Sequence, residues 1–90
     1  MVVEREIEVV NKLGLHARAA ALLVKTAAGY GSSIQLVLED RQVDAKSIMG
    51  ILTLAATQGS RLRLVADGED ADTAAQTITA LFADCFGEGE

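Results

Sequence analysis

The chain has 90 residues and a formal net charge of −5, enough material for one hydrophobic core, since a chain this short buries only about 60 to 65% of its unfolded surface. Half of the residues are apolar but aromatics are limited to one Tyr and two Phe, so the core of a single domain over residues 1–90 must be built from Ala, Val, Leu and Ile. The acidic balance excludes a nucleic-acid partner, which would require clustered Lys and Arg against phosphates.

From Val3 to Val9, the apolar residues Val3, Ile7 and Val9 alternate with Glu4, Glu6 and Glu8, the two-residue period of a half-buried strand, and only Arg5 breaks it. A loop, Asn11-Lys12-Leu13-Gly14-Leu15, leads to an Ala- and Leu-rich run from Ala17 to Ala28 that is closed by Gly29 and Gly31, which predicts a helix. Ile34, Leu36 and Leu38 then alternate with their neighbours, and Glu39-Asp40-Arg41 turns into Gln42-Val43-Asp44, the pattern of a hairpin. Ser47 opens a short apolar helix from Ile48 to Ala56, followed by a strand from Arg61 to Ala66. After Asp67-Gly68, the spacing of Ala71, Ala74, Ala75, Ile78, Leu81, Phe82 and Cys85 predicts a last helix with Asp70 and Asp72 at its start. The tail Gly87-Glu88-Gly89-Glu90 is expected to fray. The resulting order is βαββαβα, an α+β open-faced sandwich with a four-stranded antiparallel sheet and helices on one face.

The only histidine, His16, stands where the first loop meets the first helix, with Arg18 two residues on. A side chain placed there faces backbone N–H groups without intrahelical partners and the positive end of the helix dipole. Phosphate suits such a place, and a guanidinium adds charge-assisted hydrogen bonds to its oxygens. A neutral imidazole is also a nucleophile able to form a covalent intermediate. The plainer reading of the pair is a capping histidine beside a surface arginine. Ser47 is an N-cap candidate for the same kind of reason, and a phosphate added there would sit at the positive end of a helix. Ile48, Met49 and Leu52 form either an exposed apolar patch or part of the core.

Cys85 continues the apolar stripe of the last helix, which predicts a buried structural thiol; with no second cysteine it forms no internal disulfide, as in a reducing cytoplasm. One histidine, this cysteine and scattered carboxylates assemble no metal site, and no cofactor is expected. The opening Met1-Val2-Val3-Glu4-Arg5-Glu6 lacks a basic region before an apolar stretch, and no apolar run approaches the roughly 18 to 20 residues that span a bilayer. The expectation is a cytoplasmic protein without membrane insertion.

Two motifs, Gly14-Leu15-His16-Ala17-Arg18-Ala19-Ala20 and Lys46-Ser47-Ile48-Met49-Gly50, together resemble those of the HPr family, the histidine phosphocarriers of the bacterial phosphoenolpyruvate-dependent phosphotransferase system. The resemblance covers essentially the whole chain and implies the fold derived above. It implies further that enzyme I phosphorylates Nδ1 of His16, that Arg18 stabilises the phosphoryl group, and that the group passes to a histidine of an enzyme IIA domain. Ala17, Ala20, Ile48, Met49 and Leu52 fall where the family presents its partner-docking surface. Ser47 matches a regulatory serine modified by an HPr kinase/phosphorylase. The chain would thus be a monomeric stoichiometric carrier in sugar uptake or its regulation, not an enzyme.

Two positions depart from the family pattern. Ala19 replaces a proline, at about 0.4 to 1 kcal/mol of lost chain stiffening and no lost chemistry. Asp44 replaces an asparagine and brings a negative charge near Ser47. The ending Leu81-Phe82-Ala83-Asp84-Cys85-Phe86 also resembles carriers of the nitrogen-related branch, whose output is regulatory. A third reading is a ferredoxin-like regulatory domain that is not phosphorylated and binds a small anion through His16 and Arg18.

Overall fold

Alternating apolar and charged residues place four strands in one sheet in the computed structural model, which describes residues 1–88. They are β1 (Val2–Glu8), β2 (Ser33–Leu38), β3 (Arg41–Asp44) and β4 (Arg61–Asp67), interleaved with helices α1 (Ala17–Ala28), α2 (Ile48–Leu54) and α3 (Ala71–Ala83). The sheet order is β1-β4-β2-β3 and every neighbouring pair is antiparallel. The architecture is the βαββαβα sandwich expected from the residue pattern.

Registers Ile7↔Leu62 and Leu36↔Leu64 align the apolar positions of three strands on one face. Against it pack Leu23 of α1, Ile51 and Leu54 of α2, and Ile78 and Phe82 of α3, all buried. Each such large side chain contributes on the order of 1.5 to 3 kcal/mol by leaving water. The opposite face is charged: Arg61 bonds Glu6 at 3.0 Å and Arg63 lies 3.7 Å from Glu4, all well exposed. Pairs of this kind favour the register while contributing little stability. Arg5, the one break in the strand pattern, lies on an edge strand and reaches Asp72 at the start of α3, 3.7 Å away.

The second helix is shorter than its apolar run. It stops at Leu54 because Ala55 turns left-handed at φ 54°, and Arg41 donates to the freed carbonyls of Thr53 (3.2 Å) and Leu54 (2.9 Å). Arg41 thereby joins β3 to the end of α2.

The last helix also ends early. It closes at Ala83, and Cys85 and Phe86 both take φ 54°. This corrects the reading of Cys85 as a continuation of the helical stripe: the thiol is only half-buried, and Phe86 takes the buried place with its ring edge-on to Phe82, centroids 4.8 Å apart. The reversal ends in a 3-10 turn over Cys85–Gly87, so Gly87 and Glu88 are folded back onto the domain instead of frayed; Gly89 and Glu90 lie outside the described residues.

Asp70 does more than favour the dipole of α3. Its carboxylate accepts from the Ser32 hydroxyl and, at 2.9 Å each, from the N–H groups of Gly31 and Ser32, tying the end of α1 to the start of α3. These bonds, the Ser32 hydroxyl foremost, hold its carboxyl below its ordinary value of 3.8. A depressed carboxyl contributes stability that is complete above the ordinary value and lost as pH falls through the depressed one. Asp70→Asn is therefore expected to lower the melting temperature at neutral pH and to flatten the decline below pH 3.8, as read from thermal melts across an acid series.

Candidate functional site

The site begins with a buried asparagine. Asn11, fully enclosed, donates through Nδ2 to the Gly14 carbonyl at 2.8 Å, while the Gly14 N–H returns a bond to the Asn11 carbonyl at 3.2 Å. Gly14 sits at φ +67°, where a Cβ would lie 2.5 Å from the Ala56 carbonyl oxygen. That oxygen accepts from the Leu15 N–H at 3.0 Å, and the Leu15 side chain is buried. The loop is thus clamped to the segment after α2 immediately before the histidine.

His16 is the N-cap of α1, at φ −74° and ψ 178°, and its carbonyl accepts the first helical bond from Ala20 at 2.8 Å. Nδ1 of its ring accepts from the Arg18 N–H at 3.3 Å, and Nε2 is paired with the Glu88 carboxylate. A neutral imidazole has one donor and one acceptor nitrogen, and these partners assign the proton to Nε2 and the lone pair to Nδ1. The nucleophilic nitrogen therefore faces the helix N-terminus. The first turn of α1 holds no acidic residue to compete with an anion there.

Around the ring, Lys12, Leu13, His16, Arg18, Gly87 and Glu88 line an open depression of about 480 Å³. Two cations thus flank the imidazole in a chain that is acidic as a whole. Glu88 holds both sides of the site, since its other oxygen accepts from Asn11 Nδ2 at 3.1 Å. Burial pushes the Glu88 carboxyl up, but the bonds from His16 and Asn11, with the charge of Arg18, outweigh it and hold the group below its ordinary value.

Ser47 is the N-cap of α2, its Oγ accepting from the Gly50 N–H at 3.1 Å. Asp44 spends its carboxylate locally, accepting from the Lys46 N–H at 2.9 Å in a turn leading to this cap. Ile48, Met49 and Leu52 are not core: they are 40%, 67% and 36% exposed. Ala17 is exposed as well, on α1. Ala20 is not, being fully buried under the helix, which corrects its assignment to a docking surface. The sequence reading missed Leu13, 69% exposed beside His16, although its place in a polar loop was a signal. It also missed Lys12, Asn11 and Glu88, and for Glu88 no local pattern signals a partner 72 residues away.

Among the described residues, no group of three or more His, Cys, Asp or Glu side chains is arranged to hold a metal ion, and no helix is long and apolar enough to cross a membrane.

A family profile described as the PTS HPr component phosphorylation site matches residues 3–84. Among similar proteins, the phosphocarrier protein HPr of Xylella fastidiosa strain Temecula1 is 51% identical over 85 residues, 94% of this chain and 96% of that protein. The phosphocarrier protein HPr of Cupriavidus necator is 48% identical over 87 residues, 97% of this chain and 98% of that one. The crystal structure of HPr-C-His from Thermoanaerobacter tengcongensis superposes with a TM-score of 0.93 at 44% identity, covering 96% of this chain and 97% of that one.

Proposed function

Because the chain belongs to the HPr family of phosphotransferase-system phosphocarriers, we propose that His16 accepts a phosphoryl group from phospho-enzyme I and donates it to an enzyme IIA domain. The observation that carries this reading is the Nδ1 lone pair of His16 held at the N-terminus of α1, beside Arg18. In acceptance, the Nδ1 electron pair attacks phosphorus and the donor's P–N bond breaks, its electrons returning to the donor nitrogen. In donation, the new Nδ1–P bond breaks in the same sense toward the acceptor. The first-turn N–H groups and the Arg18 guanidinium neutralise the phosphoryl oxygens throughout.

The protein acts once per transfer, as a co-substrate of other enzymes, in the cytoplasm, as a monomer formed by one domain over residues 1–90. Its docking surface comprises Ala17, Ile48, Met49 and Leu52, exposed apolar groups around two N-caps. A surface that serves donor and acceptor in turn binds each transiently. Ser47 is the second phosphorylation point, modified by an HPr kinase/phosphorylase; its phosphate would sit at the N-terminus of α2 and oppose acidic partner surfaces.

The test is intact-protein mass spectrometry at alkaline pH after incubation with phosphoenolpyruvate and enzyme I. Gain of one acid-labile phosphoryl group supports the carrier, and no gain favours the anion-binding regulatory domain. In the same system, Arg18→Ala is expected to slow transfer roughly tenfold or more, the cost of one charge-assisted contact to the moving phosphoryl group. Rapid-quench rates check this, and an unchanged rate would remove Arg18 from the transfer step.

A further inference from the structure

We propose that Glu88 is a positioning residue for phosphoryl transfer, holding the proton on Nε2 of His16 so that Nδ1 is the nitrogen that gains and loses the phosphoryl group. This rests on the carrier reading of His16 and adds to it a group from the far end of the chain.

The contact is built into the fold. One Glu88 oxygen meets His16 Nε2, and the other accepts from Asn11 Nδ2 at 3.1 Å. Asn11 is itself fixed, fully buried and bonded to the Gly14 carbonyl at 2.8 Å. The Glu88 side chain is only 10% exposed. It arrives there because Cys85 and Phe86 both turn left-handed, a conformation that side-chain-bearing residues adopt at a cost, and because Phe86 anchors on Phe82. A nucleophile oriented by a third group through its second nitrogen is the general arrangement of activated imidazoles.

The proton balance gives the carboxylate its work. When Nδ1 of the Nε2–H ring takes the phosphoryl group, the ring becomes a phosphorylated imidazolium with its proton still on Nε2. The Glu88 carboxylate is the counter-charge for that cation. On donation, the Nδ1–P electrons return to Nδ1 and a neutral ring leaves with the Nε2 proton in place, so His16 exchanges no proton in either direction. Among the described residues, the charged groups lining the depression around the ring are Glu88, Lys12 of the loop and Arg18 of α1, with Glu88 the one acid.

The experiment compares the full chain with Glu88→Gln and Glu88→Asp, measuring phosphoryl acceptance from phospho-enzyme I and donation to an enzyme IIA domain across pH 6 to 9, roughly the span in which an imidazole gains and loses its proton. Glu88→Gln keeps the shape and removes the charge, and circular dichroism checks that it folds. It is expected to lower the transfer rate roughly tenfold or more, as for loss of a hydrogen bond to a charged group. The alkaline limit of donation should move to lower pH, and Glu88→Asp should recover part of both effects. A rate that is unchanged overturns the proposal, as does one that rises, which would make Glu88 a cover over the ring. If the native chain accepts no phosphoryl group, the carrier reading fails instead. Nitrogen-15 spectra of the unphosphorylated ring then decide for Glu88 alone: a mixed tautomer in Glu88→Ala supports positioning, and an unchanged Nε2–H tautomer overturns it.

Discussion

Replacing His16 with alanine is expected to abolish phosphoryl acceptance while leaving the fold in place. The chain has no other histidine, and the covalent step needs a nitrogen nucleophile at the start of α1. The imidazole is peripheral to the core: its side chain is 28% exposed and its bonds run to the Arg18 N–H and to Glu88. What alanine removes from stability is mainly an N-cap, worth about 0.5 to 2 kcal/mol, or several degrees in melting temperature for a domain of this size. Glu88 loses its partner at the same time but keeps its bond from Asn11. The expected result is thus a folded protein that shows no mass gain with phosphoenolpyruvate and enzyme I at alkaline pH. Full phosphorylation of His16→Ala would place the acceptor elsewhere and refute the reading of the site.

The second large effect is structural. Gly14→Ala is expected to destabilise the protein by about 2 to 4 kcal/mol, combining the left-handed backbone with a steric collision. The glycine holds φ +67°, and an added methyl would meet the Ala56 carbonyl oxygen at 2.5 Å and the Thr57 Cα at 3.0 Å, both backbone atoms. No side chain can rotate away to relieve this. Relief requires the loop to move off the end of α2, breaking the Leu15–Ala56 bond of 3.0 Å that sets the approach to His16. Phosphoryl acceptance should fall with stability, in contrast to His16→Ala, in which chemistry is lost and most stability kept. Denaturant melts combined with transfer rates separate the two. A Gly14→Ala protein as stable as the parent would show that the loop can seat elsewhere without cost.

The alternation of Glu4, Glu6 and Glu8 with Val3, Ile7 and Val9 was enough to assign β1 and its buried face, because strand geometry repeats every two residues and burial enforces it. The bounds of α1 were equally legible, since Gly29 marks its end and His16 stands outside its start. Ser47 as the cap of α2 followed from residue type alone. In contrast, the choice between core and surface for Ile48, Met49 and Leu52 was not readable. A seven-residue helix is too short to display a full apolar stripe, and only its seat against α1 decides which residues remain outside. Ala20 illustrates the same limit from the other side: Ala17, Arg18 and Ala21 are exposed, while the turn of the helix carries Ala19 and Ala20 into the core.

The sequence by itself determined the order of the elements, the charged and apolar faces of the sheet, and the position of His16 and Arg18 at a helix start. These depend on short-range periods and on capping preferences that operate within a few residues. Tertiary structure alone decided the tie from Asp70 to Ser32, the capping of α2 by Arg41, and the Glu88 carboxylate at His16 Nε2. Each joins residues distant in the chain. The last of them depends on a reversal at Cys85 and Phe86, whose left-handed backbone carries no glycine or asparagine to announce it and is stabilised by the packing of Phe86 on Phe82.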